Sequence, residues 1–126
     1  SFAGVSDLAL MRMRLEQMQG RSSGTVSYWH EHTGLTRFDT ARIRAISPVH
    51  LAANVRAPIL LMHGKDDSVV PFEQSRTMAN ALRAAGKTYQ FIELEGEDHH
   101  LSKQETREKF LVEMERFLAP ILRPEQ

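Results

Sequence analysis

Ala57-Pro58-Ile59-Leu60-Leu61-Met62-His63-Gly64 is the stretch of this chain with the fewest structural options. It is a continuous apolar run opened by a proline and closed by a glycine, the pattern of a parallel strand covered on both faces. Such a strand belongs at the centre of a sheet with helices above and below it, so the run points to an α/β layer architecture.

The flanking sequence supplies the other layers. Ser1 to Ser6 reads as a short buried strand without an initiating methionine, which is the expectation for a piece of a larger fold. Asp7 is placed to cap a helix with Leu8, Met11, Leu15 and Met18 at helical spacing, ending near Gly20. From Gly20 to about Thr40 the pattern breaks into Gly, Ser, Thr and His, giving an irregular excursion with a short helix around Tyr28 to His32. Pro48 starts a turn and short helix through Ala53, and Pro71 opens a helix that Gly86 ends. Tyr89 to Leu94 is the next strand; Ser102 and Glu105 make a capping-box pair before a last helix striped with Phe110, Leu111, Met114, Phe117, Leu118 and Ile121. The alternation predicts a mostly parallel sheet of about three strands flanked by helices, with reactive groups in loops at the carboxyl ends of strands.

Composition removes several function classes. Sixteen basic and 16 acidic residues cancel in 126, so no broad field favours nucleic acid or an anionic membrane surface. There is no cysteine, hence no disulfide framework or thiolate metal site, and the compartment stays open between cytoplasm and periplasm. No apolar run approaches the ~18 residues that span a bilayer, so the expected partners include neither membrane nor nucleic acid.

Asp67 and His99 each follow a predicted strand, with room for one helix and one strand between them. Adjacent parallel strands would bring both loops together as a carboxylate that orients an imidazole base, the arrangement a hydroxyl nucleophile needs. His63, at the end of the central strand, reads as a packed, hydrogen-bonded histidine. His30-Glu31-His32 lacks the four-residue histidine spacing of a zinc helix and reads as an exposed polar stretch, and His50 has no evident partner.

The local sequences resemble those of the prolyl oligopeptidase family of α/β-hydrolase serine peptidases. His63-Gly64-Lys65-Asp66-Asp67-Ser68-Val69-Val70-Pro71 with Phe72-Glu73-Gln74-Ser75 is similar to the family's acid-bearing loop, and Gly96-Glu97-Asp98-His99-His100 to its histidine loop. Ser102 with Thr106-Arg107 extends the likeness, and Phe2-Ala3-Gly4-Val5-Ser6-Asp7-Leu8 resembles the strand after the nucleophile helix. The resemblance implies a partial α/β-hydrolase fold lacking the N-terminal half of its sheet, with residues 1–126 as the C-terminal part of a catalytic domain. It makes Asp67, four residues before Pro71, the catalytic acid, leaves Asp66 as a turn residue, and makes His99 the base. His100 stands where the family commonly has glycine. The resemblance also implies a peptide substrate, no metal or organic cofactor, and Val5, Leu8, Met11 and Val70 as candidate lining of the substrate side-chain pocket, residues that core packing would explain equally well.

The nucleophile is not evident. Gly20-Arg21-Ser22-Ser23-Gly24 spells Gly-x-Ser-x-Gly, but an amphipathic helix precedes it instead of an apolar strand, and Thr25-Val26-Ser27 is a poor helix start. The serine and its oxyanion donors are therefore expected upstream of Ser1, the isolated chain is expected to be inactive, and its uncovered sheet is expected to drive self-association or domain exchange. The same triad order also serves a carboxylesterase or dienelactone-type hydrolase, and a non-catalytic interaction module would keep the fold without the chemistry.

Overall fold

The computed structural model describes residues 1–36 and 38–122. Five α-helices, a short 3-10 helix and two strands alternate along the described residues: α1 (Leu8–Gln19), α2 (Gly24–Thr33), α3 (Thr40–Ile46), the 3-10 helix (Pro48–Asn54), β1 (Ile59–Gly64), α4 (Glu73–Ala84), β2 (Tyr89–Leu94) and α5 (Gln104–Leu122). β1 and β2 pair in parallel, in register from Ile59 opposite Tyr89 to Gly64 opposite Leu94. The segment read as a first strand instead makes a single parallel bridge, Phe2 to Met62, on the far edge of β1. There the Ala3 N–H donates to the Met62 carbonyl at 3.0 Å and the Met62 N–H to the Ser1 carbonyl at 2.9 Å. β1 is thus flanked on both sides, and Leu60 to Gly64 are all buried, as the unbroken apolar run requires.

The strand's two faces are used differently. Leu61, with Ile59 packed beside it, joins Met78, Ala79 and Leu82 of α4 and Ala52 of the 3-10 helix in one core cluster. On the N-terminal side, the Phe2 ring meets Phe110 of α5 edge-on at 5.4 Å. The helix boundaries follow their caps. Asp7 accepts the Ala9 and Leu10 N–H groups at the start of α1. At the end of α4 the Gly86 N–H bonds the Arg83 carbonyl and the Lys87 N–H the Leu82 carbonyl, a Schellman pattern that Gly86 permits by its φ of 64°.

Two sequence expectations change. Residues 24–33 form a full helix, capped by Ser23 through the Val26 N–H and ended by Gly34 at φ 62°, and α3 adds a further helix at 40–46. The weak helix propensity of the Gly-Thr-Val-Ser start is overridden by that cap and by Val26 and Trp29 packing on α1 and Val70. Position 37 of this stretch lies outside the described residues. The Ser102–Glu105 capping box is also replaced: the Ser102 hydroxyl donates to Asp98 at 2.5 Å, and the buried Glu97 carboxylate accepts the Ser102 and Lys103 N–H groups ahead of α5. A carboxylate reaching in from the preceding loop satisfies those orphan amides and complements the helix dipole as a local cap would. No described helix is long and apolar enough to cross a membrane.

Candidate active site

Both strands deliver their following loops to one edge of the sheet. The loops are fastened backbone to backbone: the Lys65 N–H donates to the Leu94 carbonyl at 3.0 Å and the Asp66 N–H to the Glu97 carbonyl at 3.0 Å. Gly64 allows that approach. A Cβ there would press on the Glu97 carbonyl, with its carbon at 2.7 Å and the Asp98 carbonyl oxygen at 2.8 Å. Around the fastening, the exposed Lys65 ammonium sits 2.8 Å from Glu93 and 2.6 Å from Glu95, and hydrogen bonds to these two carboxylates raise its pKa.

Asp67 and His99, 32 residues apart in sequence, meet across this seam. His99 Nδ1 lies 2.9 Å from Asp67 Oδ2. The other carboxylate oxygen, Oδ1, accepts the Val69 and Val70 N–H groups, each at 2.8 Å, which curls the acid loop around its own side chain. The Asp67 side chain is fully buried while the His99 side chain keeps 29% of its surface open. A buried anion facing Nδ1 fixes the proton there and leaves Nε2 as the free lone pair. An imidazole held so is fitted to accept a proton from a hydroxyl group.

His63 is packed and hydrogen-bonded. It is wholly inaccessible, with Nδ1 2.7 Å from Ser75 Oγ and Nε2 2.9 Å from the Val70 carbonyl oxygen and 3.1 Å from Asp67 Oδ2. Its contact with Asp67 was not foreseen, because only the observed loop curl brings the two side chains together.

The histidine loop is held by acids. Asp98 Oδ1 accepts the His100 N–H at 2.8 Å, and the Ser102 hydroxyl bond, with that amide, holds the Asp98 carboxyl down at about 2. Glu97, completely inaccessible, takes the N–H groups of Asp98 and Ser102, each at 2.9 Å. The left-handed positions of this loop are Gly96, at φ 63°, and Leu101, at φ 53°, so the position next to His99 takes a histidine without adopting the glycine conformation. The His100 ring stands edge-on to His99 at 5.3 Å. Glu97 was also missed as a site residue; its signal, a carboxylate a few residues before a helix start, is too common to single out.

The four pocket candidates divide. Leu8 and Met11 line an apolar cleft of about 390 Å³ between α1, α2 and α3, together with Leu15, Trp29, Phe38 and Ile43. Val70 and Val5 pack with Met11 and Leu15 in the cluster beneath it. Ser22 lies exposed in the turn between α1 and α2, so the Gly-x-Ser-x-Gly spelling joins two helices and not a strand to a helix. His30 and His32 sit on α2, where the His32 ring stacks on Tyr28 at 3.8 Å. Among the described residues no group of three or more His, Asp or Glu side chains is disposed to hold a metal ion.

Parallel strands with helices packed against them, and reactive loops at the strand ends, make this a partial α/β-hydrolase fold. The chain belongs to the prolyl oligopeptidase family, whose profile it matches over residues 3–124. It is 35% identical over 65 residues to the uncharacterized peptidase YuxL of Bacillus subtilis, a match covering 52% of this chain and 10% of that one. Among solved structures it is similar to a puromycin-hydrolyzing peptidase of Mycobacterium tuberculosis, with a TM-score of 0.76, 28% identity, and coverage of 88% of this chain and 16% of the other. It is also 37% identical over 54 residues, 43% of this chain and 19% of the relative, to a Methylorubrum extorquens protein named as a carboxymethylenebutenolidase. The chain therefore spans only a small part of the length of these relatives.

Proposed function

We propose that this chain supplies the acid and base of a serine peptidase, with Asp67 orienting His99 and His99 activating a serine that lies outside residues 1–126. The observation that carries the reading is the Asp67–His99 hydrogen bond of 2.9 Å between a buried carboxylate and a partly exposed imidazole. In the reaction the serine hydroxyl attacks the scissile carbonyl as its proton passes to His99 Nε2; the resulting imidazolium is stabilised by Asp67 and returns the proton to the leaving amine. Water then attacks the acyl-enzyme by the same route. Leu8 and Met11 supply the apolar side of the substrate pocket, with Val5 and Val70 packed against Met11 behind them, which suits an uncharged side chain.

The peptidase reading is tested with a fluorophosphonate probe and aminoacyl anilides. The complete protein is expected to label and to hydrolyse the anilides, and Asp67→Asn to lower its kcat by roughly 10⁴, because an amide no longer fixes the base's tautomer. The 126-residue chain is expected to stay unlabelled. Labelling at Ser22, or full activity in Asp67→Asn, would refute the assignment. Likeness to the carboxymethylenebutenolidase favours a second reading, an ester or lactone hydrolase using the same pair, and turnover of esters with none of anilides would select it.

A further inference from the structure

Asp67 is served by two imidazoles, and the proposed mechanism uses one. We propose that His63 is a positioning residue that fixes the Asp67 carboxylate toward His99, and that Ser75 sets the proton arrangement of His63; this rests on the hydrolase reading only for its kinetic consequence.

The atoms around His63 leave one neutral arrangement. Its Nε2 faces two oxygens that can only accept, the Val70 carbonyl at 2.9 Å and Asp67 Oδ2 at 3.1 Å, so Nε2 carries the hydrogen. Nδ1 faces the Ser75 hydroxyl at 2.7 Å, which turns to donate its proton. Every polar atom of the ring is then satisfied without burying a second charge, the less costly state for a side chain with no accessible surface. His99 has the opposite pattern, with hydrogen on Nδ1 toward the same Asp67 oxygen. Asp67 thus receives three N–H groups, His99 on Oδ2 and Val69 and Val70 on Oδ1, and the polarised Nε2 edge of His63, whose N–H is given to the Val70 carbonyl, stands 3.1 Å from Oδ2. The titratable groups facing Asp67 in this setting are His63 and His99, and His100 touches the His99 ring.

The geometry restricts Asp67 in a way the two backbone amides cannot. Both amides bind Oδ1, so they leave the plane of the carboxylate free to swing about that oxygen; the His63 Nε2 edge, 3.1 Å from Oδ2, meets that oxygen with its positive end and limits the swing. His63 is itself clamped between Ser75 on α4 and Phe72, whose ring lies 5.7 Å away. Removing that contact lets Oδ2 leave the line to His99 Nδ1, and the base then samples the tautomer with Nε2 protonated, which cannot take a proton from serine.

The test is long-range ¹H–¹⁵N NMR of the histidine rings in the full chain, above the pH at which they protonate. The wild type is expected to show opposite fixed tautomers, Nε2–H for His63 and Nδ1–H for His99. In His63→Leu the His99 ring is expected to become a tautomer mixture. Ser75→Ala, which removes one oxygen and keeps the helix, is expected to speed exchange of the His63 ring proton with water and give a smaller shift of His99 the same way; it decides the matter if His63→Leu does not fold. Finding His63 as the Nδ1–H tautomer, or His99 wholly Nδ1–H in both variants, would overturn the proposal. In the complete protein Ser75→Ala is expected to lower kcat about tenfold with KM unchanged, as misplacement of a catalytic group does. Normal kcat in Ser75→Ala with the wild-type tautomers sinks the positioning role and spares the peptidase. Fixed tautomers that respond as expected in a protein without hydrolytic activity do the reverse.

Discussion

The side chains that shape the histidine loop are mostly acids, and their protonation sets its acid limit. Asp98 is held at about 2, below its ordinary 3.8, by the Ser102 hydroxyl first and the His100 N–H second. A depressed value means the bonded, ionised form stabilises the loop above about pH 4, and that contribution is lost as pH falls through about 2. Amide shifts of His100 and Ser102 are expected to stay native down to about pH 4 and to titrate together below it; in Ser102→Ala the transition is expected at higher pH. At this scale the pair Asp67 and His99 was legible, since each closes a strand and carries a characteristic flank. Glu97 and Ser75 were not, because a buried carboxylate and a helix serine acquire their roles only from atoms many residues away or from the curl of a loop.

Between elements, the fold depends on a few close approaches. Gly64→Ala would drive a methyl into the Glu97 carbonyl, so the two loops must part. We expect a loss of roughly 1–3 kcal/mol, as for overpacking, measured by denaturant unfolding, together with loss of the fixed His99 tautomer. The fully buried Gln74 joins α4 to the start of α1: its carbonyl oxygen accepts the Ser6 N–H at 3.0 Å and the Asp7 N–H at 2.8 Å, and its amide donates to the Asp7 carbonyl at 3.0 Å. Gln74→Leu strands three backbone groups and is expected to cost about 3 kcal/mol, with the N-terminal segment losing amide protection first. The α1 helix, announced by its Asp7 cap, and the α4 helix, announced by its apolar face and the Gly86 stop, were readable in advance. Of α2 only the part around Tyr28 to His32 was, because its ten residues include Gly, Ser and three Thr or β-branched side chains and its stability comes from packing on α1.

For the molecule as a whole, the sheet is narrow for its apolar content. Among the described residues β2 pairs on one side only, and α5 buries none of its residues completely, leaving Leu111, Val112, Ile121 and Leu122 exposed. The isolated chain is expected to self-associate or exchange strands, with sedimentation velocity showing a mass that rises with concentration; a monomer at high concentration counts against it. One consequence of the α4 start reaches further. Gln74 and Ser75 are neighbours in a single turn, yet one holds the α1 junction and the other holds His63. Adding or deleting a residue just ahead of that turn rotates both by about 100°. A solvent-facing connector that would ordinarily tolerate changes in length is therefore length-locked here, free to vary in side chains at Ser68 and Val69 while its residue count stays fixed.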